Sequence, residues 1–347
     1  MRISELGEFG LIERLAELLA SEGDVEPAGR LSVGLGDDAA VWRSDGGAII
    51  ATTDTLVAGV HFLPDRTPWR DLGWKALAVN VSDVAAMGGT PEFALITLAL
   101  PEDTEVERID ELYRGLAEAA QAYRVAIVGG DVVRAPTTVI TVALTGRAEL
   151  DAAGEPLVLR RDTAQAGDLV AVTGCLGGAA GGLHCLREDT DDSEATRALI
   201  QRHLRPNARV ETGVAALAAG IRCAIDVSDG LLQDLGHVCR ASRLGAVVRR
   251  DKLPIDPALS ELFEPEEALG YAVAGGEDYE LLLVGSREQI TELSRHVDLP
   301  VTIIGEMVSD SERRAKLLDE SGGEIEISAA GWDHLRSEGH PPGREQS

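Results

Sequence analysis

The chain has 347 residues, 44% of them hydrophobic, and its 59 acidic and 32 basic side chains give a formal charge of −27 at pH 7. This length predicts two packed domains, and the negative charge, with no Lys/Arg cluster, excludes nucleic acid and anionic membrane surfaces as expected partners. Four scattered cysteines without a C-x-x-C pair, no apolar leader and no run of about 18 apolar residues predict a cytoplasmic protein without disulfides, signal peptide or membrane span.

The first half of the chain alternates helical and extended patterns. Residues 5–19 carry apolar side chains at helical spacing and predict an amphipathic helix, whereas residues 47–53 predict a strand that ends at Asp54. The next predicted elements are, in order, a mostly buried helix at 68–87, a strand at 93–100, a helix at 105–123, a strand at 125–128 stopped by Gly129 and Gly130, and a strand at 137–146. This alternation predicts an α/β (α+β) domain.

The second half predicts another α/β unit. Residues 167–174 form its first predicted strand, and the acidic segment 187–194 predicts an exposed loop before a helix at about 195–204. We place the boundary near residues 148–162, which gives domains at residues 1–150 and 151–335 and a frayed tail at 336–347.

Five segments each contain an Asp next to Gly, Ser or Thr, in or beside a predicted strand or helix. They are Gly36-Asp37-Asp38, Thr52-Thr53-Asp54, Asn80-Val81-Ser82-Asp83, Gly129-Gly130-Asp131 and Asp226-Val227-Ser228-Asp229-Gly230. A buried carboxylate needs a compensating cation or donor, and Mg²⁺ binds through scattered Asp residues and substrate phosphates. A single Asp is more often a turn or N-cap residue than a metal ligand, and Asp37 and Asp234 could have no other role than that. Five such segments together predict a site for metal and phosphate.

Several other kinds of site lack their motifs. The chain has no G-x-x-x-x-G-K-[ST] loop and no H-R-D or D-F-G element, so nucleotide binding requires another scaffold. His and Cys do not recur at zinc-ligand spacing, and no Gly-x-Ser-x-Gly supports a hydrolase nucleophile.

Longer motifs resemble the thiamine-monophosphate kinases over about residues 8–335. The most specific are the segment from Thr52 through His61-Phe62, the segment from Lys75 through Asp83 to Gly88, and Gly275-Gly276-Glu277-Asp278-Tyr279-Glu280-Leu281. The resemblance implies a two-domain architecture like that of phosphoribosylaminoimidazole synthetase. It also implies an N-terminal domain that forms a homodimer through its sheet, an ATP site near that interface and a C-terminal α/β domain covering it.

The resemblance also implies roles for individual residues. Asp54, Asp83 and Arg161 would be catalytic, and Gly130, Asp131, Arg161 and Ser228 would contact ATP. The magnesium ligands would be Asp38, Thr52, Thr53, Asp54, Asp83, Asp131, Asp226 and Asp229. Thiamine monophosphate would lie against His61, Glu277 and Trp332, where an aromatic ring could stack on the cationic thiazolium. Alternatives stay open: Trp332 as C-terminal packing, His61 as a core histidine, Arg160 in place of Arg161, and Asp278 in place of Glu277.

These assignments imply an enzyme that phosphorylates thiamine monophosphate to thiamine diphosphate, the last step of thiamine diphosphate biosynthesis. ATP would be the co-substrate and several Mg²⁺ ions the cofactors, with direct in-line transfer and no strong general base. The alternatives are another ATP-dependent member of the superfamily, similar to selenophosphate synthetase or aminoimidazole ribonucleotide synthetase, and a non-catalytic acidic cation-binding protein. Selenophosphate synthetases carry a reactive Cys or selenocysteine near the N-terminus, whereas the first cysteine here is Cys175.

Overall fold

The computed structural model describes residues 31–33, 37–44, 47–188 and 190–327. The helix predicted at 5–19, the tail at 336–347 and Trp332 therefore lie outside the described residues. Two mixed β-sheets with packed helices form the described part, which confirms the predicted α/β class. None of its helices is long and apolar enough to span a lipid bilayer.

The first sheet has the strand order β1-β2-β3-β6-β4-β5, with β7 paired to β6. Its strands are β1 (Leu31–Val33), β2 (Ala40–Ser44), β3 (Gly47–Val57), β4 (Thr90–Leu100), β5 (Ala126–Arg134), β6 (Val139–Leu150) and β7 (Pro156–Leu157). β4 and β5 are parallel and the other neighbours antiparallel. A parallel pair needs a crossover, which is supplied by helix α2 (Val106–Tyr123). Strand β7 lies after residue 150 and still pairs with β6 of the first sheet. The predicted domain boundary at residue 150 therefore stays a prediction.

Helix α1 (Trp69–Ala86) joins the hydrophobic cores of the two sheets. Of its 18 residues 13 are buried, so it is covered on nearly all sides rather than along one stripe. Leu72 and Leu77 pack into the core under the first sheet, whereas Ala86 packs with Leu217 and Leu281 of the second unit. Polar side chains on α1 are thereby carried between the two units.

The second sheet has the order β14-β13-β10-β12-β8-β11-β9. Its strands are β8 (Leu169–Thr173), β9 (Cys223–Asp226), β10 (Gly245–Arg249), β11 (Leu281–Gly285), β12 (Val301–Val308), β13 (Ala315–Leu318) and β14 (Glu324–Ile325). The helices of this unit are α3 (Gly178–Glu188), α4 (Glu194–Leu204), α5 (Val210–Ala218), α6 (Leu231–Ser242), α7 (Pro257–Leu262), α8 (Pro265–Ala274) and α9 (Arg287–Ser294), with a 3₁₀ turn at Arg250–Lys252. β13 is parallel to β10, and the other neighbours are antiparallel.

Two strands continue past the ends that the sequence predicted. β3 runs beyond Asp54 to Val57, and β5 runs through Gly129 and Gly130 to Arg134. The prediction that these glycines end the strand is wrong, because Gly130 pairs directly with Ile96 of β4. A Cβ on Gly130 would lie 1.8 Å from the Ile96 carbonyl oxygen, so glycine permits the close approach of the two strands here.

Candidate active site

Three carboxylates from distant parts of the sequence meet between the two units. Asp38 lies just before β2, Asp83 in the last turn of α1 and Asp226 at the end of β9. One oxygen from each lies within 4.8 Å of the others. We call these three residues the acidic group.

Hydroxyl groups hold two of its members in place. Thr52 Oγ1 on β3 donates a hydrogen bond of 2.5 Å to Asp83 Oδ2, and Ser82 Oγ donates one of 2.6 Å to Asp226 Oδ2. Burial raises the pKa of Asp83 well above its usual range, and the charges of Asp54, Asp226 and Asp38 raise it further. Burial followed by the charge of Asp38 raises the pKa of Asp226 likewise. Nearby positive charge is therefore too little to keep all of these carboxylates ionised.

Asp54 enters the same region from the inner face of β3. Side chains alternate along a strand, so Asp54 shares this face with Thr52. Its backbone N–H donates to Asn80 Oδ1 at 2.9 Å, and Asn80 Nδ2 in turn donates to the Ala76 carbonyl at 3.1 Å. The fully buried Asn80 therefore fixes β3 against α1 beside the acidic group.

Arg161 supplies the cation nearest to Asp38. Its Nε and Nη2 donate to the two oxygens of Asp38 at 3.0 and 2.6 Å, a bidentate pair. Its backbone N–H donates to Asp37 at 3.2 Å. Arg160 instead pairs with Asp162 at the surface, so Arg161 is the arginine that faces the site. Burial, then the charge of Asp38, raises the pKa of Asp37 to about 6.

The segment after β9 forms a tight loop around Asp234. One oxygen of Asp234 accepts hydrogen bonds from the backbone N–H groups of Ser228, Asp229 and Gly230 at 3.0 to 3.1 Å. Asp234 therefore has the turn role that the sequence suggested. Asp229 lies within 4.8 Å of Asp234 and His237, measured between one ligand atom of each. Burial, then the positive charges of Arg240 and Arg161, lowers the pKa of His237 to about 4, so this ring is neutral at pH 7.

Glu277 and Asp278 have different tasks although they are neighbours. Asp278 accepts hydrogen bonds from the backbone N–H groups of Gly177 and Ala179 at 2.6 and 3.1 Å, at the start of α3. Glu277 lies at φ +68° and directs its carboxylate to Lys75 Nζ at 2.8 Å and His203 Nδ1 at 3.2 Å. Its backbone N–H donates to the Ser228 carbonyl, so it lies beside the Asp229 loop. Asp278 thus has a structural role, and Glu277 is the acid that faces inward.

Tyr279 is a buried tyrosine two residues after Glu277. It is 9% exposed and lies at φ +50°. Burial raises the pKa of its hydroxyl most, followed by the charges of Glu277, Asp54, Asp226 and Asp83. Its backbone N–H donates to the carbonyl of Val227, the residue after Asp226, so Tyr279 lies beside both Glu277 and the acidic group.

The structure does not bring every predicted residue to the acidic group. Thr53 is on the outer face of β3, and its hydroxyl donates to the Val142 carbonyl at 2.9 Å, so its side chain does not join that group. Gly130 and Asp131 lie on the edge strand β5, and the carboxylate of Asp131 accepts the N–H of Val132. The paired residues Asp54, Val142, Ile96 and Gly130 lie in a row across the sheet. Three strand spacings put Gly130 about 14 Å from Asp54.

His61 lies in the turn after β3. Its Nδ1 accepts a hydrogen bond from the Val57 N–H at 3.0 Å, and the adjacent Phe62 is buried in the core of the first unit. The ring of His61 is half-buried. Its orientation is thus set by the turn, whereas its contact with a substrate stays a prediction.

Lys75, Asn80, His203 and Tyr279 were given no role by the sequence alone. For Lys75 a signal was present, because it is the one charged residue between Asp71 and Asp83. A charge in such an apolar helix requires a buried partner. For His203 no local signal existed, because its role depends on the docking of α4 against α1.

The donor set fits magnesium. The acidic group offers carboxylate oxygens, with the hydroxyls of Thr52 and Ser82 hydrogen-bonded to them. Hard oxygen ligands of this kind suit Mg²⁺. The raised pKa values of Asp83 and Asp226 also indicate that a cation would relieve repulsion within the group.

Comparisons with known proteins agree over the whole described fold. The model of the AIR synthase related protein N-terminal domain matches residues 36–148, and that of the C-terminal domain matches residues 165–317. The thiamine-monophosphate kinase of Escherichia coli (strain K12) is 39% identical over 341 residues, covering 95% of this chain and 98% of the relative.

Solved structures of known proteins have a similar fold. The structure described as "AaThiL complexed with AMPPCP and TMP" has a TM-score of 0.82 at 34% identity and covers 96% of this chain and 99% of its own. The E. coli hydrogenase maturation protein HypE has a TM-score of 0.66 at 20% identity, which shows a shared fold alone.

Proposed function

The chain belongs to the thiamine-monophosphate kinase family, and we propose that it transfers the γ-phosphoryl group of ATP to thiamine monophosphate, forming thiamine diphosphate and ADP. The observation that carries this proposal is the acidic group with Arg161 fixed beside it by two hydrogen bonds. Two phosphorylated ligands repel each other, so a site that joins them must supply concentrated positive charge. Carboxylates ready to bind a divalent cation, together with a guanidinium, meet that need.

Asp38, Asp83 and Asp226 would hold Mg²⁺, with Asp54, Thr52 and Asp229 as further candidate ligands. The bound ions would neutralise charge on the reacting phosphates. Arg161 stays protonated at any physiological pH and keeps donors directed at the same place. A phosphate oxygen of the substrate is already ionised near neutral pH, so the chain has no need of a strong general base.

On the substrate side we assign binding of the thiamine moiety to Glu277 and His61, with Trp332 as a further proposed contact. Contacts to ATP are proposed for Gly130, Asp131 and Ser228. The support for Glu277 is its place beside the Asp229 loop and Tyr279, close to the acidic group. A fixed carboxylate there would attract the cationic thiazolium.

We further propose a homodimer formed through the outer face of the first sheet. Phe93 and Leu95 on β4 are about half exposed, and Val133 on β5, which pairs with Ala99 and so lies on the same face, is 45% exposed. Monomeric proteins rarely leave such a contiguous apolar area open to water. A partner on this face would also cover β5, which carries Gly130 and Asp131. We place the protein in the cytoplasm, because ATP is available there and its four cysteines are free.

Incubation of the purified protein with ATP, Mg²⁺ and thiamine monophosphate tests the function. We expect equal amounts of thiamine diphosphate and ADP, separated and quantified by chromatography. ATP turnover without thiamine diphosphate would indicate another member of the superfamily. Metal binding without any turnover would indicate a non-catalytic cation-binding protein.

A further inference from the structure

Two buried nitrogens face the carboxylate of Glu277 from different elements. Lys75, on α1, has a side chain that is 1% exposed, and His203, at the end of α4, has one that is 2% exposed. Lys75 Nζ lies 2.8 Å from Glu277 Oε1, and His203 Nδ1 lies 3.2 Å from Glu277 Oε2. Each oxygen of the carboxylate is therefore matched by one nitrogen.

The contact of Lys75 with Glu277 is ionic, whereas burial lowers the pKa of His203, so its ring meets Glu277 in the neutral form. Within the described residues, Lys75 Nζ and His203 Nδ1 are buried atoms that lack a hydrogen-bond partner of acceptable geometry. A buried ammonium is unfavourable unless an opposite charge compensates it. The carboxylate of Glu277 supplies that charge, so the buried Lys75 requires Glu277 as much as Glu277 depends on Lys75.

The backbone of Glu277 is constrained as well. Its φ of +68° is unusual for a residue with a Cβ, and its N–H is held by the Ser228 carbonyl. Strain of this kind persists where the surrounding contacts over-determine a conformation. The side chain of Glu277 is 26% exposed, so a ligand can reach it although each carboxylate oxygen already has a contact with Lys75 or His203.

The charge of Glu277 is set by the same contacts. Burial raises its pKa, but the nearby Lys75 and His203 outweigh burial and hold the pKa well below its usual range. The carboxylate is therefore ionised at neutral pH. An ionised and immobile carboxylate suits a cationic heterocycle carrying N–H donors.

We propose that Lys75 and His203 are positioning residues that fix Glu277 for recognition of the thiamine moiety, an inference that rests on the proposed function. Lys75 belongs to the first unit, whereas Glu277 and His203 belong to the second. The thiamine-binding carboxylate is thus fixed only when α1 is docked between the two units. Lys75 acts through Glu277 and does not itself touch the reacting phosphates.

A double-mutant cycle tests this role. Lys75→Met and Glu277→Gln should each raise the KM for thiamine monophosphate about tenfold, which corresponds to about 1.4 kcal/mol, while the KM for ATP stays within about twofold of wild type. Both changes disable the same recognition group. The KM of the double variant for thiamine monophosphate should therefore be no higher than that of the more impaired single variant. Lys75→Arg, which keeps the charge, should recover part of the affinity.

Arg209→Met provides a matched control, because Arg209 forms a buried ion pair with Glu280, three residues from Glu277. It should lower the melting temperature and leave the KM for thiamine monophosphate within about twofold. If Lys75→Met does not fold, Lys75→Arg and the double variant, in which no buried charge is left unpaired, carry the test.

Three results would overturn the proposal: an unchanged KM for thiamine monophosphate in Lys75→Met, an equal rise in the KM for ATP, or single effects that multiply in the double variant. Failure of the proposed function looks different, because the wild-type protein itself would then form no thiamine diphosphate.

Discussion

Arg160 and Arg161 are adjacent in sequence, yet only Arg161 faces the acidic group. Arg161 binds both oxygens of Asp38, whereas Arg160 pairs with Asp162 at the surface. Lysine cannot reproduce the bidentate geometry of a guanidinium. We expect Arg161→Lys to lower kcat/KM at least about tenfold and Arg160→Lys to leave it within about twofold. Steady-state kinetics with both substrates measures this difference, and equal effects of the two variants would contradict the assignment.

The half-buried Asp278, which accepts hydrogen bonds at the start of α3, makes a pH-dependent contribution to stability. Burial raises its pKa to about 7, above the value near 4 expected in the unfolded chain. The folded state therefore holds this proton more tightly, and its stabilising contribution is lost as the pH rises from about 4 to about 7. The free energy of unfolding of wild type should fall between pH 5 and pH 8. Asn lacks that proton equilibrium, so the fall should be about 2–3 kcal/mol smaller in Asp278→Asn. Urea titrations at both pH values, without metal, measure it, and parallel losses would contradict this account.

Thr53 shows what residue patterns could and could not predict. The strand around it was predicted, and the alternation of side chains along a strand already separates Thr53 from Thr52 and Asp54. The meeting of Asp38, Asp83 and Asp226 was different. Asp38 and Asp226 are far apart in the chain, and their proximity depends on how β9 docks against α1. The five acidic segments predicted a shared metal site, but residue spacing did not say which of the carboxylates would meet.

At the scale of elements, α1 was predicted almost to the residue, whereas β5 was predicted too short. Apolar residues at helical spacing identify this buried helix well, although it contains Gly73. The strand β5 contains two glycines, and its extension depends on backbone pairing with β4, which local propensity does not contain. Tertiary pairing therefore overrode the local signal.

The segment between α4 and α5 is fixed to α1 and α2 by aromatic side chains. Trp74 Nε1 donates to the Pro206 carbonyl at 2.8 Å, the Arg205 guanidinium lies 4.4 Å from the centroid of the Trp74 ring, and the Ala208 N–H donates to the Tyr123 hydroxyl at 3.0 Å. This segment directly follows the end of α4, so it helps to hold His203 against Glu277.

Replacing Trp74 by Phe removes the hydrogen bond and keeps much of the packing. We expect Trp74→Phe to lower the free energy of unfolding by about 1–2 kcal/mol. The Pro206 carbonyl loses its short hydrogen bond and keeps only the longer one from the Tyr123 hydroxyl at 3.5 Å, and the cation–π contact weakens. Chemical denaturation measures the change. Tyr113→Phe, on the exposed side of α2, should change it by less than about 0.5 kcal/mol. A loss no larger for Trp74→Phe than for this control would show that the segment is not fixed in this way.

At the scale of the whole molecule, the outer face of the first sheet determines the proposed assembly. Leu95 is 49% exposed in the single chain and lies next to Phe93 and β5. A charge buried in a sheet-to-sheet interface is unfavourable. We expect Leu95→Glu to convert a dimer into a monomer at micromolar concentration, as measured by light scattering. Val106→Glu, at an exposed apolar residue outside this sheet, should remain dimeric. A wild-type monomer, or a Leu95→Glu dimer, would contradict the interface.

Two units that each contribute carboxylates to one site make catalysis depend on their docking. The most direct test is the rate of thiamine diphosphate formation as a function of Mg²⁺ concentration for wild type, Asp54→Asn, Asp83→Asn and the exposed control Asp65→Asn. We predict that the two site variants lose at least about a hundredfold in turnover at limiting Mg²⁺, while Asp65→Asn matches wild type. Near-normal turnover of both site variants at limiting Mg²⁺ would contradict the account.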